Sequence, residues 1–305
     1  MTSTDSNQLT RFLLPAAGVR GVRVHLGDAW ARIRDNGQYP PAVAALLGHA
    51  VAASALFTAH TKVDGRLSVQ LRGSDALRTL FAECTAGGTV RGIVQLADDA
   101  DPVRADAIAG DLRQLGEGAL LVLTIENPGL RADEPQRYQG VVPVEHPALA
   151  DAFEQYFRQS EQLPTRLLLA TDGTQAAGLM LQKLPGDEGD EDGWNRASTL
   201  FATLTAKELL DWSEHDLLHR LFHEEGVEVV GRQALAFGCS CSRERVEAML
   251  QALGRDEADA AVRDAGGTAL VRCEFCGAQY TFDDTQIEAL FTDAMVQTDG
   301  SARLH

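Results

Sequence analysis

Four sulfur side chains crowd into the last quarter of the sequence. Cys239 and Cys241 form a Cys-x-Cys; after thirty-one intervening residues Cys273 and Cys276 form a Cys-x-x-Cys. Each pair is short enough to present two thiolates to one ion. Four thiolates suit a tetrahedral zinc ion, which takes soft sulfur ligands at about 2.3 Å. Gly277, directly after the second motif, permits the tight turn a metal-binding knuckle needs. In VRCEFCGAQYTF, apolar and aromatic residues on both sides of the motif point to a short β-hairpin. Thioredoxin-type chemistry fits less well, because there the Cys-x-x-Cys opens a helix after a strand. The fifth cysteine, Cys84, ends a strand-like run and reads as a buried apolar thiol.

The unusual pair is Cys239 and Cys241. A disulfide between them closes a very small ring, which strains the preferred geometry. Strained disulfides are oxidising and labile. Zinc-held thiolates are themselves reactive, and their oxidation ejects the ion together with any fold that depends on it. The motif therefore allows a redox switch as well as a static structural zinc.

The elements that must position these thiols follow from periodicity and caps. Ser242 caps a helix over RERVEAMLQAL, which Gly254 ends, and Val246, Met249, Leu250 and Leu253 form its apolar face. A unit of about 60 residues is too small for a large core, so a metal staple is physically sensible. Upstream, residues 194–225 read as two or three amphipathic helices, with capped starts at Thr205 and Ser213. Their apolar residues, from Leu200 to Phe222, need another domain to bury them and are marginal alone. His215, His219 and His223 fall at i, i+4 and i+8 on the last helix. That spacing can bind metal but more commonly marks a polar face. Before the helices, residues 186–193 hold five acids and three glycines and read as a linker or exposed loop.

Residues up to 184 read as one α+β domain. Strand-like runs occur at 7–15, 19–26, 66–73, 76–84, 89–97, 118–127, 137–145, 164–171 and 176–184. LGDAWARIRDNGQ reads as a helix or extended arm. Pro40-Pro41 opens an Ala-rich helix that is read as buried core rather than as a membrane span. A further helix follows His146-Pro147. This domain carries no P-loop, GxGxxG, GxSxG or HExxH, and His25, His49, His60 and His146 are scattered structural residues. No catalytic constellation is found.

The chain has 305 residues, 45% of them hydrophobic, enough for about two domains with a sizeable core. Its net charge of −17 argues against a nucleic-acid footprint, and only Arg243 and Arg245 cluster locally. No targeting segment is visible at the start, so a cytoplasmic chain is expected.

With these motifs in place, the sequence resembles the redox-regulated chaperonins of the heat shock protein 33 family. The resemblance rests on FGCSCSRERVEAML, CEFCGAQYTF, LLHRLFHEEGVEV, ATLTAKELL, RYQGVVPVEHPALADAFEQYFRQSEQLPT and YPPAVAALLGHAVAASALF, and runs from about residue 9 to 292. It implies an α+β class, with an N-terminal mixed core at 1–184 that binds clients and dimerises. A helical linker at 185–237 and a small zinc-binding redox-switch domain at 238–305 complete it. It implies one zinc ion held by Cys239, Cys241, Cys273 and Cys276 in the reduced state. Oxidation then gives the disulfides Cys239–Cys241 and Cys273–Cys276, releases zinc and loosens the linker. The implied activity is an ATP-independent holdase for unfolding proteins, not an enzyme, acting as a homodimer once oxidised, with neither nucleic acid nor membrane as partner. Two rival readings are a static zinc-ribbon binding protein and a thiol oxidoreductase using Cys273 and Cys276.

Overall fold

The computed structural model describes residues 6–61, 63–129, 135–186 and 191–300, with side chains through Thr292. The chain divides into two compact units, Met1–Gly238 and Cys239–His305. The class is α+β as expected.

The first unit holds two sheets. One has the order β10-β1-β2-β9-β8, built from β1 (Gln8–Leu14), β2 (Val19–Leu26), β8 (Thr165–Thr171), β9 (Ala176–Lys183) and β10 (Glu228–Ala234). All its pairings are antiparallel. The other has the order β11-β5-β4-β3-β6-β7, built from β3 (Arg66–Arg72), β4 (Leu77–Thr85), β5 (Thr89–Leu96), β6 (Leu120–Asn127), β7 (Gln136–Val142) and β11 (Ala236–Phe237). Only β11 runs parallel to its neighbour, β5. The helices are α1 (Asp28–Arg34), α2 (Pro41–His60), α3 (Pro102–Gly110), α4 (Leu149–Tyr156), α5 (Gly193–Ala202), α6 (Ala206–Asp211) and α7 (Glu214–Phe222).

The Ala-rich α2 is long and apolar enough to cross a membrane, yet its residues from Leu46 to Phe57 are buried in the main core with side chains of both sheets. Small side chains allow close approach. At Gly178 on β9, an added Cβ would lie 2.6 Å from Leu56 Cδ1. The hydroxyls that α2 buries are satisfied within the helix: Ser54 Oγ donates to the Val51 carbonyl at 2.8 Å and Thr58 Oγ1 to the Ser54 carbonyl at 2.7 Å. Cys84, on β4, is buried in this core, and burial pushes its thiol pKa up to about 12. It is inert packing, as the sequence suggests.

The five-stranded sheet is apolar on both faces. On β9, Met180 points into the α2 core, while Ala177, Leu179 and Leu181 enter a second core with Phe12 and Leu14 of β1. That second core is closed by α5, α6 and α7 through Phe201, Leu209, Leu217, Leu221 and Phe222. Here is the surface the amphipathic helices need. Both anticipated caps form: Thr205 and Glu208 make a capping box on α6, and Ser213 Oγ accepts from the Asp216 N–H on α7.

Two elements differ from the sequence reading. Residues 185–237 are helical only to Glu225 and then extended, because β10 adds to the edge of β1 and β11 to β5. Residues 102–110, unread in the sequence, form α3, capped by Asp101 with Pro102 in its first turn. Of the helix or extended arm expected at LGDAWARIRDNGQ, the helix forms, as α1 (Asp28–Arg34). Of the acidic stretch 186–193, residues 187–190 lie outside the described residues.

The second unit contains α8 (Arg243–Leu253), α9 (Arg255–Asp264), the antiparallel hairpin of β12 (Thr268–Arg272) and β13 (Gln279–Asp283), and α10 (Asp284–Gly300). Its core is small: Val246, Leu250, Ala258, Val262, Ala269, Phe282 and Ile287.

Candidate metal centre

Two local structures bring the four cysteines together. Cys273 and Cys276 occupy the turn between β12 and β13. The Cys273 N–H donates to the Ala278 carbonyl and the Gly277 N–H to the Cys273 carbonyl, both at 2.8 Å. Gly277 has φ 72°, a left-handed conformation that glycine adopts without strain. Cys239 and Cys241 lie just before α8. The Cys241 N–H donates to Cys239 Sγ at 3.4 Å, so the backbone wraps the first sulfur. Ser242 then caps α8, accepting from the Arg245 N–H at 3.3 Å. Arg245 Nη1 donates to the Ser240 carbonyl at 3.2 Å, fixing the residue between the two thiols. Arg243 lies over the Phe282 ring at 4.4 Å and donates to the Thr281 carbonyl, tying the start of α8 to β13.

The four sulfurs all lie within 4.8 Å of one another. Between the motifs, Cys239 Sγ lies 3.6 Å from Cys273 Sγ and Cys241 Sγ 3.3 Å from Cys276 Sγ. All four are free thiols. A tetrahedral ion with sulfur ligands at about 2.3 Å sets sulfurs about 3.8 Å apart. The donor set thus matches a zinc-sized thiolate site in number, type and spacing.

Electrostatics explains why such a cluster calls for a cation. The Tyr280 hydroxyl donates to Cys241 Sγ at 3.2 Å and draws its pKa down to about 7. Burial and the neighbouring sulfurs push Cys276 up to about 12, and burial also raises Cys239. Without a cation, one thiolate forms readily and its neighbours resist. A divalent ion removes that repulsion, so binding releases protons and stabilises the surrounding fold. Tyr280 was not singled out by the sequence reading, although its place four residues after Cys276 on an alternating strand is the signal that could find it.

The histidines read as structural remain apart. His25 Nε2 is 2.7 Å from Gln175 Oε1, His60 Nε2 is 2.9 Å from Arg20 Nη2, and His146 pairs with Gln155. Among the described residues, the four cysteines are the one group of three or more whose ligand atoms converge on a common point.

A second set of polar contacts, also absent from the sequence reading, fastens α5–α7 to the sheet beneath. Glu214, at the start of α7, accepts from Arg232 on β10 at 2.7 Å and from Thr10 Oγ1 on β1 at 2.5 Å. Burial acts to raise the Glu214 pKa, but these bonds outweigh it and hold the carboxyl below its ordinary range. Arg23 on β2 donates to the Trp212 carbonyl at 2.8 Å. Arg196 on α5 grips the buried Glu225 with two bonds of 2.9 Å. No local pattern marks these pairs, because their partners are distant in sequence.

Residues 7–283 match the family model described as Hsp33 protein. The chain is 39% identical over 303 residues to the 33 kDa chaperonin of Chromobacterium violaceum, covering 99% of this chain and 100% of that one. It is 40% identical over 289 residues to the 33 kDa chaperonin of Ectopseudomonas mendocina, covering 93% and 95%. The crystal structure of the 33 kDa chaperonin (heat shock protein 33 homolog) from Thermotoga maritima superposes with a TM-score of 0.73 at 20% identity, covering 95% of this chain and 99% of that one.

Proposed function

Since the chain belongs to the heat shock protein 33 family, and so is a chaperone, we propose that it is a redox-switched, ATP-independent holdase. The observation that carries the reading is the convergence of four thiols within 4.8 Å of one another. In the reduced state Cys239, Cys241, Cys273 and Cys276 hold one zinc ion. The small core of the second unit, seven buried apolar residues among those described, is then stapled by the ion.

An oxidant such as a peroxide takes two electrons from each motif. Two thiolates give up one electron each to form one S–S bond, while one hydrogen peroxide takes those two electrons and two protons from solvent to become two waters, so the two motifs consume two peroxides. The products are Cys239–Cys241 and Cys273–Cys276. A disulfide holds its sulfurs about 2.05 Å apart, far closer than the about 3.8 Å between ligands of one tetrahedral ion, so pairing draws two ligands off the zinc and couples bond formation to its loss. Loss of the ion unfolds the second unit.

The chain runs from α7 through β10 and β11 directly to Gly238 and then Cys239. Unfolding of the second unit frees this segment, and α5–α7 leave the five-stranded sheet. The apolar sheet face, with Phe12, Leu14, Leu179 and Leu181, and the apolar faces of the helices then capture unfolding chains. The charge of −17 keeps this open state soluble. The active state is a homodimer, the setting is the cytoplasm, and no catalytic residue takes part.

The test treats reduced, zinc-loaded protein with hydrogen peroxide at raised temperature. A colorimetric chelator follows zinc, and light scattering follows aggregation of a heat-unfolded client. Zinc release with new suppression of aggregation, both reversed by thiol reductant and zinc, is the expected result. Retained zinc, or suppression that is already complete before oxidation, contradicts the reading.

A further inference from the structure

His215 and His219 of α7, and His223 at its C-cap, take no part in the chemistry above, and the structure gives them a specific arrangement. All three are exposed on one helix face. The rings of His219 and His223 stack with centroids 5.2 Å apart and planes 19° apart; those of His215 and His219 lie 5.8 Å and 13° apart. These spacings match one turn of helix, about 5.4 Å. They line a cleft of about 630 Å³ with Glu214, Leu218 and Val227.

The pair at the end of the helix has a further feature. His223 Nδ1 lies 2.9 Å from the His219 carbonyl oxygen. A carbonyl only accepts, so Nδ1 carries the proton and Nε2 carries the lone pair. A backbone carbonyl that fixes the tautomer in this way is the usual outer support of a metal-bound imidazole. The Glu224 carboxylate lies 3.9 Å from the same Nε2. The last turn of α7 also carries the negative end of the helix dipole, which favours a cation there.

We propose that His219 and His223 form a site for one divalent transition-metal ion, distinct from the four cysteines. Two imidazole nitrogens, with water completing the shell, make an intermediate donor set that suits nickel, copper or zinc more than magnesium or calcium. Each nitrogen gives a lone pair and no redox step is involved. The ion bridges residues one turn apart, so it binds the helix and not the unfolded segment, and it stabilises the end of α7 by mass action. This site does not depend on the redox reading.

The test uses reduced protein without an affinity tag, its cysteines loaded with zinc, titrated calorimetrically with Ni²⁺. One ion per chain is expected. His219→Ala and His223→Ala each weaken it at least tenfold, and His215→Ala leaves it within about twofold. The three side chains are exposed and alanine favours helix, so the variants should fold; circular dichroism checks this. Equal binding by wild type and His219→Ala overturns the proposal, as does loss of binding in His215→Ala alone. Titration with Co²⁺ gives a second readout. A spectrum free of sulfur-to-cobalt charge transfer is expected, and the appearance of that band would put the ion on the cysteines.

Discussion

Arg232 on β10 holds Glu214 on α7 with a two-toothed ion pair, Nη2 to Oε1 at 2.7 Å and Nε to Oε2 at 3.0 Å. It joins the strand that leads toward the cysteines to the helix that covers the apolar sheet face. The Glu214 carboxylate is almost fully buried and the Arg232 side chain is half-exposed. The pair therefore acts less as a source of stability than as a latch, since removal of one member strands a buried charge.

Arg232→Ala should destabilise the docked helices by about 1–3 kcal/mol, the cost of an under-satisfied buried charge. Urea unfolding and hydrogen exchange on α7 measure it. The folded Glu214 pKa lies below its unfolded value. Its contribution is therefore present above the unfolded pKa, about 4.3, and is lost as pH falls through the folded value. The gap between wild type and Arg232→Ala should accordingly narrow in acid. A constant gap would contradict this role.

Phe222 stacks on Phe12, ring centroids 6.2 Å apart, across the interface between α7 and β1. Phe222→Ala should cost about 3–5 kcal/mol through lost burial and a residual cavity. If the helices mask the client-binding face, this variant should suppress client aggregation while still reduced. Suppression only after oxidation, in a variant shown to be destabilised, would contradict the masking role.

Acid should weaken the first unit for a separate reason. Burial, and then the adjacent Arg20, pull the His60 pKa down to about 3, against a smaller opposing effect of a hydrogen bond with Gln182. Arg20 donates to His60 Nε2, so the folded ring must be neutral. A depressed pKa gives stability that is full above the unfolded value of about 6.5 and lost as pH falls toward 3. His49, lowered by burial to about 4, acts in the same direction. Urea midpoints should fall across this window, and His60→Asn should flatten part of the fall. An unchanged slope would argue that other groups carry it.

Cys239→Ser and Cys276→Ser should each weaken zinc binding and unfold the second unit, with metal content and proteolysis as readouts. Cys84→Ser should leave oxidative activation intact. Peptide mapping of oxidised protein should find Cys239 joined to Cys241 and Cys273 to Cys276. Links between the motifs, such as Cys239 to Cys273, whose sulfurs are 3.6 Å apart in the assembled cluster, would contradict the pairing within each motif.

What was legible in the sequence was largely what has a local cause. The cysteine spacing, Gly277 after the second motif, the Ser242, Ser213 and Thr205 caps and the strand-like runs of the first nine strands, set apart by Gly, Asp and Asn, are each written within a few residues. Strand β10 was not legible. Its sequence, EVVGRQA, carries Gly231 and Arg232 inside it, and its reason to be extended is β1, more than two hundred positions earlier. Helix α3 was missed although Asp101-Pro102 is a cap followed by a first-turn proline; its short, Ala-rich pattern gave little periodicity. The pairs Glu214–Arg232 and Arg196–Glu225 are a consequence of topology, and charged residues on polar faces give no advance sign of which will be buried.

The central claim is that oxidation at the cysteines removes α5–α7 from the five-stranded sheet. Hydrogen exchange followed by mass spectrometry, on reduced zinc-loaded and on fully oxidised protein, tests it most directly. The account predicts that residues 193–225 and 239–292 lose protection on oxidation, while α2 and strands β3–β6 keep theirs. Holdase activity that emerges with residues 193–225 as protected as before would contradict it.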